Sequence, residues 1–159
     1  MSGAPPALRL FFDTDALLAG AASTRGAAHL LLRLGELGLV DAVTCAYVQG
    51  EALRNVAAKL PQAGPLLQAL LGQAVTVVPD APPGSSAEEG SGVHPKDLPV
   101  WRAFHLSRAA YLVTFNPDFR KGSARRLGAQ GPDPRGDRTR SYAGSFSDSR
   151  ARLTLRDSG

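Results

Sequence analysis

Four short apolar runs divide the first 119 residues, and apolar residues between them recur at helical spacing. The runs are ALRLFF at 7–12, VDAVTC at 40–45, AVTVV at 74–78 and a run at 110–114 ending YLVT. Strands that alternate with helices specify βαβ units and a largely parallel sheet. Right-handed crossovers then put helices on both faces. The expected fold is therefore α/β, a three-layer α/β/α sandwich with a central, mainly parallel sheet. The spacing predicts helices over 14–39, with a break at Gly26, over 47–60, stopped by Pro61, and over 64–73. A last helix runs from Asp97 to about Arg108, where Pro99 is tolerated because first-turn amides lack partners anyway. The Pro-, Gly- and Ser-rich stretch 80–95 reads as a loop.

A length of 159 residues suits one domain, but composition changes after Phe119. Residues 1–119 hold 8 basic against 10 acidic residues, a net −2. Residues 120–159 hold 10 against 4, a net +6, and lose apolar periodicity except for ARLTL, a candidate edge strand. The chain is thus read as a domain over 1–119 followed by a basic tail over 120–159, irregular or appended. Basic tails suit polyanions, although a solvated tail is the plainer reading. The single cysteine, Cys45, excludes an internal disulfide, and the three histidines are too dispersed to suggest a zinc cluster. A reducing cytoplasm is the expected location. No run approaches the roughly 18 apolar residues of a membrane span.

Ligands of open parallel sheets lie outside the carboxyl ends of the strands. Asp13 ends the first strand, and Glu51 lies near the start of the helix after the second. Asp97 opens the helix leading to the fourth strand, and Asn116 and Asp118 follow that strand directly. Taken singly, Glu51 suits a solvated helix, Asp97 an N-cap and Asp118 a turn. Asp13 is harder to dismiss, because a carboxylate at a buried strand end needs a partner. Several carboxylates on one rim repel each other, and a divalent cation removes that repulsion. Mg²⁺ or Mn²⁺ suits hard oxygen ligands.

Four stretches resemble the PIN-domain family, which includes the VapC-type toxins of bacterial toxin–antitoxin pairs. LRLFFDTDALLAG resembles its opening strand, VQGEALRNV the helix bearing its second acid, DLPVWRAFHLSRAAYLVT its helix–strand unit, and TFNPDF its closing segment. The match spans roughly residues 8–119. It implies a PIN-like fold and a Mg²⁺- or Mn²⁺-dependent ribonuclease in which Asp13, Glu51 and Asp97 hold metal. It further implies that Thr114 orients the site and that Asn116 stands where a fourth acid is common. Asp118 is expected to compensate as a ligand, and Asp15, where Asn or Ser is usual, to add charge. RNA, a small antitoxin and a second copy of the chain are the implied partners. Arg54, Lys96, Arg102 and the tail are candidate RNA contacts. The family's apolar closing strand and helix have no counterpart in 120–159.

Two other readings compete. Asn116 and the missing closing segment suit a non-catalytic RNA-binding or protein-interaction module on a degenerate version of the same fold. A receiver domain with clustered acids would need a lysine near the last strand, and Lys121 is poorly placed for that.

Overall fold

The computed structural model describes residues 6–84, 92–119 and 152–155. In chain order the elements are β1 (Leu8–Phe12), α1 (Thr14–Ala22), α2 (Ala27–Glu36), β2 (Val40–Cys45), α3 (Ala46–Lys59), α4 (Gly64–Gln73), β3 (Thr76–Val78), α5 (Leu98–Leu106), β4 (Tyr111–Thr114) and β5 (Arg152–Leu155). Short 3₁₀ turns, Pro61–Ala63 and Pro95–Asp97, precede α4 and α5. The strand order is β3-β2-β1-β4-β5. The first four strands are mutually parallel, while β5 is antiparallel to β4.

The chain steps outward from β1 to β2 to β3, then returns past both to β4. Right-handed crossovers therefore place α1–α4 on one face and α5 on the other. Central parallel strands are buried on both faces. Accordingly, consecutive Leu10, Phe11 and Phe12 of β1 are all buried, as are Leu112 and Val113 of β4. The Phe11 ring meets Phe104 of α5 edge-on, 6.2 Å between centroids. Successive strand residues face opposite ways, so Leu10 and Phe12 serve the other layer.

Element existence matches the sequence reading closely, and the boundaries shift for local reasons. The expected 14–39 helix is two helices, with Gly26 as the extended N-cap of α2. The third strand starts at Thr76 rather than residue 74, because the Ala74 amide still bonds back to Leu70 of α4. Helix α5 stops at Leu106, and Arg108 then takes a left-handed φ of 56° that turns the chain toward β4. The candidate edge strand in ARLTL is β5, with Thr114 opposite Arg152 and Tyr111 opposite Leu155. The rest of the 120–159 segment, and residues 85–91 of the expected loop, lie outside the described residues.

Gly35 of α2 marks a close approach between layers. A Cβ there would stand 2.7 Å from the Ala74 carbonyl oxygen and 3.0 Å from the Ala42 Cβ, and backbone cannot yield cheaply. Gly35→Ala is therefore expected to destabilise the protein by about 1–3 kcal/mol, despite alanine's better helix propensity. A lowered urea midpoint at unchanged slope would register it.

Candidate active site at the carboxyl ends of the strands

The reversal of strand order falls between β1 and β4, and at such a switch point a crevice opens beyond the strand ends. Asp13 follows β1 and Thr114 ends β4, so this crevice is lined by a carboxylate and a hydroxyl. Parallel pairing fixes their registration: Phe12 lies opposite Val113, and the Asp13 amide donates to the Val113 carbonyl at 3.1 Å.

Asp13 is 6% exposed. It is the N-cap of α1, one carboxylate oxygen accepting the Thr14 amide at 2.7 Å. The other accepts the Thr114 hydroxyl at 2.9 Å. That hydroxyl has one proton and also accepts the Asn116 amide at 3.0 Å, so its 3.4 Å approach to Asp15 is the weaker contact. Asp15 is held instead by the Phe115 amide at 3.2 Å. The Thr14 hydroxyl donates to Glu51 of α3 at 2.7 Å. The Asn116 side-chain amide donates to Asp97 at 3.3 Å, while its oxygen accepts the Asp118 amide at 3.0 Å. A continuous chain of hydrogen bonds thus links Glu51, Asp13, Thr114, Asn116 and Asp97, with Asp15 at its side.

Packing brings the far end of that chain into place. Phe119 is buried and stacks on Trp101 of α5, 6.2 Å between centroids. This draws the NPDF segment onto the start of α5, where Asp97 sits. Asp97 occupies the N-cap position of α5 but makes no side-chain cap bond, so capping does not account for its carboxylate.

Electrostatically the crevice is frustrated. Burial, then the neighbouring Asp15 and Glu51 charges, outweigh the two hydrogen bonds and push the Asp13 carboxyl up to about 7. Burial raises Asp15 as well. Among the described residues the ion pairs join Arg9 to Asp41 and Arg33 to Glu36, and neither touches this cluster.

The expected residues are placed unequally. Asp13, Asp15, Glu51, Asp97, Thr114 and Asn116 belong to one hydrogen-bonded network. Asp118 is joined to it through its backbone amide. Of the candidate RNA contacts, Arg54 is exposed on α3, Lys96 is exposed beside Asp97, and Arg102 donates to the Leu98 carbonyl one turn into α5. Sequence reasoning did not single out Thr14, whose hydroxyl holds Glu51, nor Asp80, which accepts the Tyr47 amide at 2.7 Å and so caps α3. No local signal announces Asp80, since the cap crosses from the loop after β3. For Thr14 the signal was its place directly after the strand-ending acid.

Among the described residues no three Asp, Glu, His or Cys side chains form a group able to hold an ion on their own. Mg²⁺ does not require that: it keeps several waters and uses one or two carboxylates plus substrate phosphate. The all-oxygen donor set, with a buried carboxylate that two like charges oppose and that no cation among the described residues pairs with, fits a hard divalent ion.

Such a fold and rim define a three-layer α/β protein with a carboxylate crevice at its topological switch point. No protein-family model matches the chain, and no curated protein matches it. Among solved structures it is similar to VapC20 of Mycobacterium tuberculosis, a PIN-domain toxin described as cleaving the sarcin–ricin loop. The identity is 18% and the TM-score 0.49, over 70% of this chain and 93% of that one. At that score a shared outline says nothing about chemistry, which has to come from the side chains. Helices flank a central sheet whose first four strands are parallel, the three-layer α/β/α architecture expected from the sequence. No helix among the described residues is long and apolar enough to cross a membrane.

Proposed function

We propose that the chain is a divalent-metal-dependent endoribonuclease that would hold Mg²⁺ or Mn²⁺ through Asp13 and one of Glu51 or Asp97, with water and substrate phosphate completing the shell and the other acid and Asp118 lining the site. The observation that carries this reading is the buried Asp13 carboxylate, in no ion pair among the described residues and hydrogen-bonded into a network with three further acids. When bound, the ion would lower the charge repulsion and polarise water and phosphate for in-line hydrolysis. The chain's own part is positioning. Thr14 turns Glu51 toward Asp13, Thr114 fixes Asp13, and the Asn116 amide holds Asp97 where a fourth carboxylate would repel it. Arg54, Lys96 and Arg102 are proposed phosphate contacts, because such contacts carry most of the affinity for RNA. On the sequence resemblance, the biological role is a cytoplasmic toxin restrained by a small antitoxin, acting as a homodimer.

One observation favours a second reading, a non-catalytic RNA-binding module: a neutral side chain, Asn116, stands after β4, bonded to Asp97 and to the Asp118 amide. Turnover separates the two. Purified protein is expected to cleave RNA with Mg²⁺ or Mn²⁺ and to stop with EDTA. Asp97→Asn should lower the rate at least about 100-fold, since losing even a ligand's hydrogen-bonding partner costs 10–100-fold. RNA binding that persists in EDTA, with no cleavage under any condition, would favour the binding module.

A further inference from the structure

One aromatic ring at the rim is not explained by the core or by the metal reading. The buried side of α3 consists of Val48, Ala52 and Val56. Tyr47, Gly50, Glu51 and Arg54 lie three, four and seven residues apart, which puts them together on another face. Tyr47 is 39% exposed, while Val48 beside it is buried and Gly50 and Glu51 on its own face are half-buried. Because α3 starts directly after β2, its first turn sits at the carboxyl rim, one turn ahead of Glu51.

The backbone that carries the ring is anchored. Cys45 holds the cap position of α3 without a side-chain bond, and Asp80 supplies the cap by accepting the Tyr47 amide. Gly50 gives the face a flat step. A Cβ there would lie 3.3 Å from an Arg54 guanidinium nitrogen, so that side chain runs back along the helix over Gly50, toward Tyr47. Among the described residues Arg54 makes no ion pair. Burial, then Glu51, and after them Asp97, raise the Tyr47 phenol while Arg54 opposes them, so the ring stands within the field of both acids.

We propose, resting on the ribonuclease reading above, that the stripe Tyr47–Gly50–Arg54 docks the single-stranded nucleotide beside the scissile phosphate, the ring stacking on its base and the guanidinium pairing with its phosphate. Stacking on an aromatic face tolerates any base but requires that base to be unpaired. The stripe therefore selects for loops and single strands by geometry, without reading base edges.

The test is anisotropy of a labelled single-stranded oligoribonucleotide with the full chain in Ca²⁺, beside its duplex and an abasic version. Circular dichroism checks that each variant is folded. Tyr47→Ala should weaken binding about tenfold or more, and Tyr47→Phe should restore it. The abasic strand should bind wild type as weakly as the intact strand binds Tyr47→Ala. Arg54→Gln should reduce the salt slope of binding by about one. Unchanged binding by Tyr47→Ala, failure of Tyr47→Phe to restore it, or equal binding of the duplex overturns the stripe. If wild type nevertheless cleaves RNA, the ribonuclease reading stands without it. Tyr47-dependent binding with no cleavage in Mg²⁺ or Mn²⁺ overturns the ribonuclease reading and keeps the stripe as a nucleotide-docking face. Absence of any RNA binding overturns both.

Discussion

At pH 8 and without divalent ions, Asp13→Asn is expected to stabilise the protein by about 4 kcal/mol, while removing its ability to hold the ion. The Asp13 carboxyl rises from 3.8 to about 7 on folding. About three units at 1.36 kcal/mol each gives that figure to order of magnitude. The sign follows from proton binding. Between pH 3.8 and about 7 the folded state holds a proton at Asp13 that the unfolded state has released, so metal-free stability falls as pH rises through this window. Above it the full penalty of a bare buried carboxylate remains. Asparagine is neutral and keeps the hydrogen bonds: its oxygen accepts the Thr14 amide, its nitrogen donates to the Thr114 hydroxyl, and that hydroxyl turns toward Asp15. Urea unfolding in EDTA at pH 5 and pH 8 measures this. Wild type should lose stability between the two, and the variant should lose less, because only the raised Asp15 remains. A destabilised variant at pH 8 would mean that Asp13 already has a compensating charge.

The second large effect is the response to Mg²⁺ or Mn²⁺. A ligand at 100 times its dissociation constant stabilises the folded state by about 2.7 kcal/mol, several degrees of melting temperature for a chain of this size. The ion must displace the proton on Asp13, so affinity should fall with acidity. At pH 5.5, one and a half units below a pKa of about 7, it drops roughly 30-fold by simple proton competition. Melting scans at fixed Mg²⁺ should therefore show a large shift at pH 8 and a small one at pH 5.5. Cleavage should rise through the same region. A shift independent of pH would place the ion away from Asp13.

Much of this was legible because short strands broadcast both their burial and their ends. The apolar run LFF at the end of LRLFF reads as strand buried on both faces, as Leu10, Phe11 and Phe12 are, and the acid after it is then fixed at the rim. Glu51 and Asp97 followed from the same rule, because helix starts after parallel strands, and before them across a crossover, share that rim. The Asp80 cap, the Thr14–Glu51 bond and the Tyr47–Arg54 face were not legible. Each depends on how distant segments meet in register, and periodicity carries no information about that. Asn116 was seen as a weakened ligand. In the structure it is a clamp, because the Trp101–Phe119 stack sets its amide against Asp97. The ARLTL strand was visible from its alternation, but its partner β4 was not, since 32 residues without apolar periodicity intervene between Phe119 and Arg152.

Crystals of the full chain soaked in Mn²⁺ at pH 8, with anomalous scattering recorded at the manganese edge, address the central claim most directly. A peak in the crevice beyond β1 and β4, bonded to Asp13 and at least one of Glu51 or Asp97, and lost in Asp13→Asn, is the expected result. Crystals whose crevice stays empty at saturating Mn²⁺, with Asp13 still bonded only to Thr14 and Thr114, would contradict it.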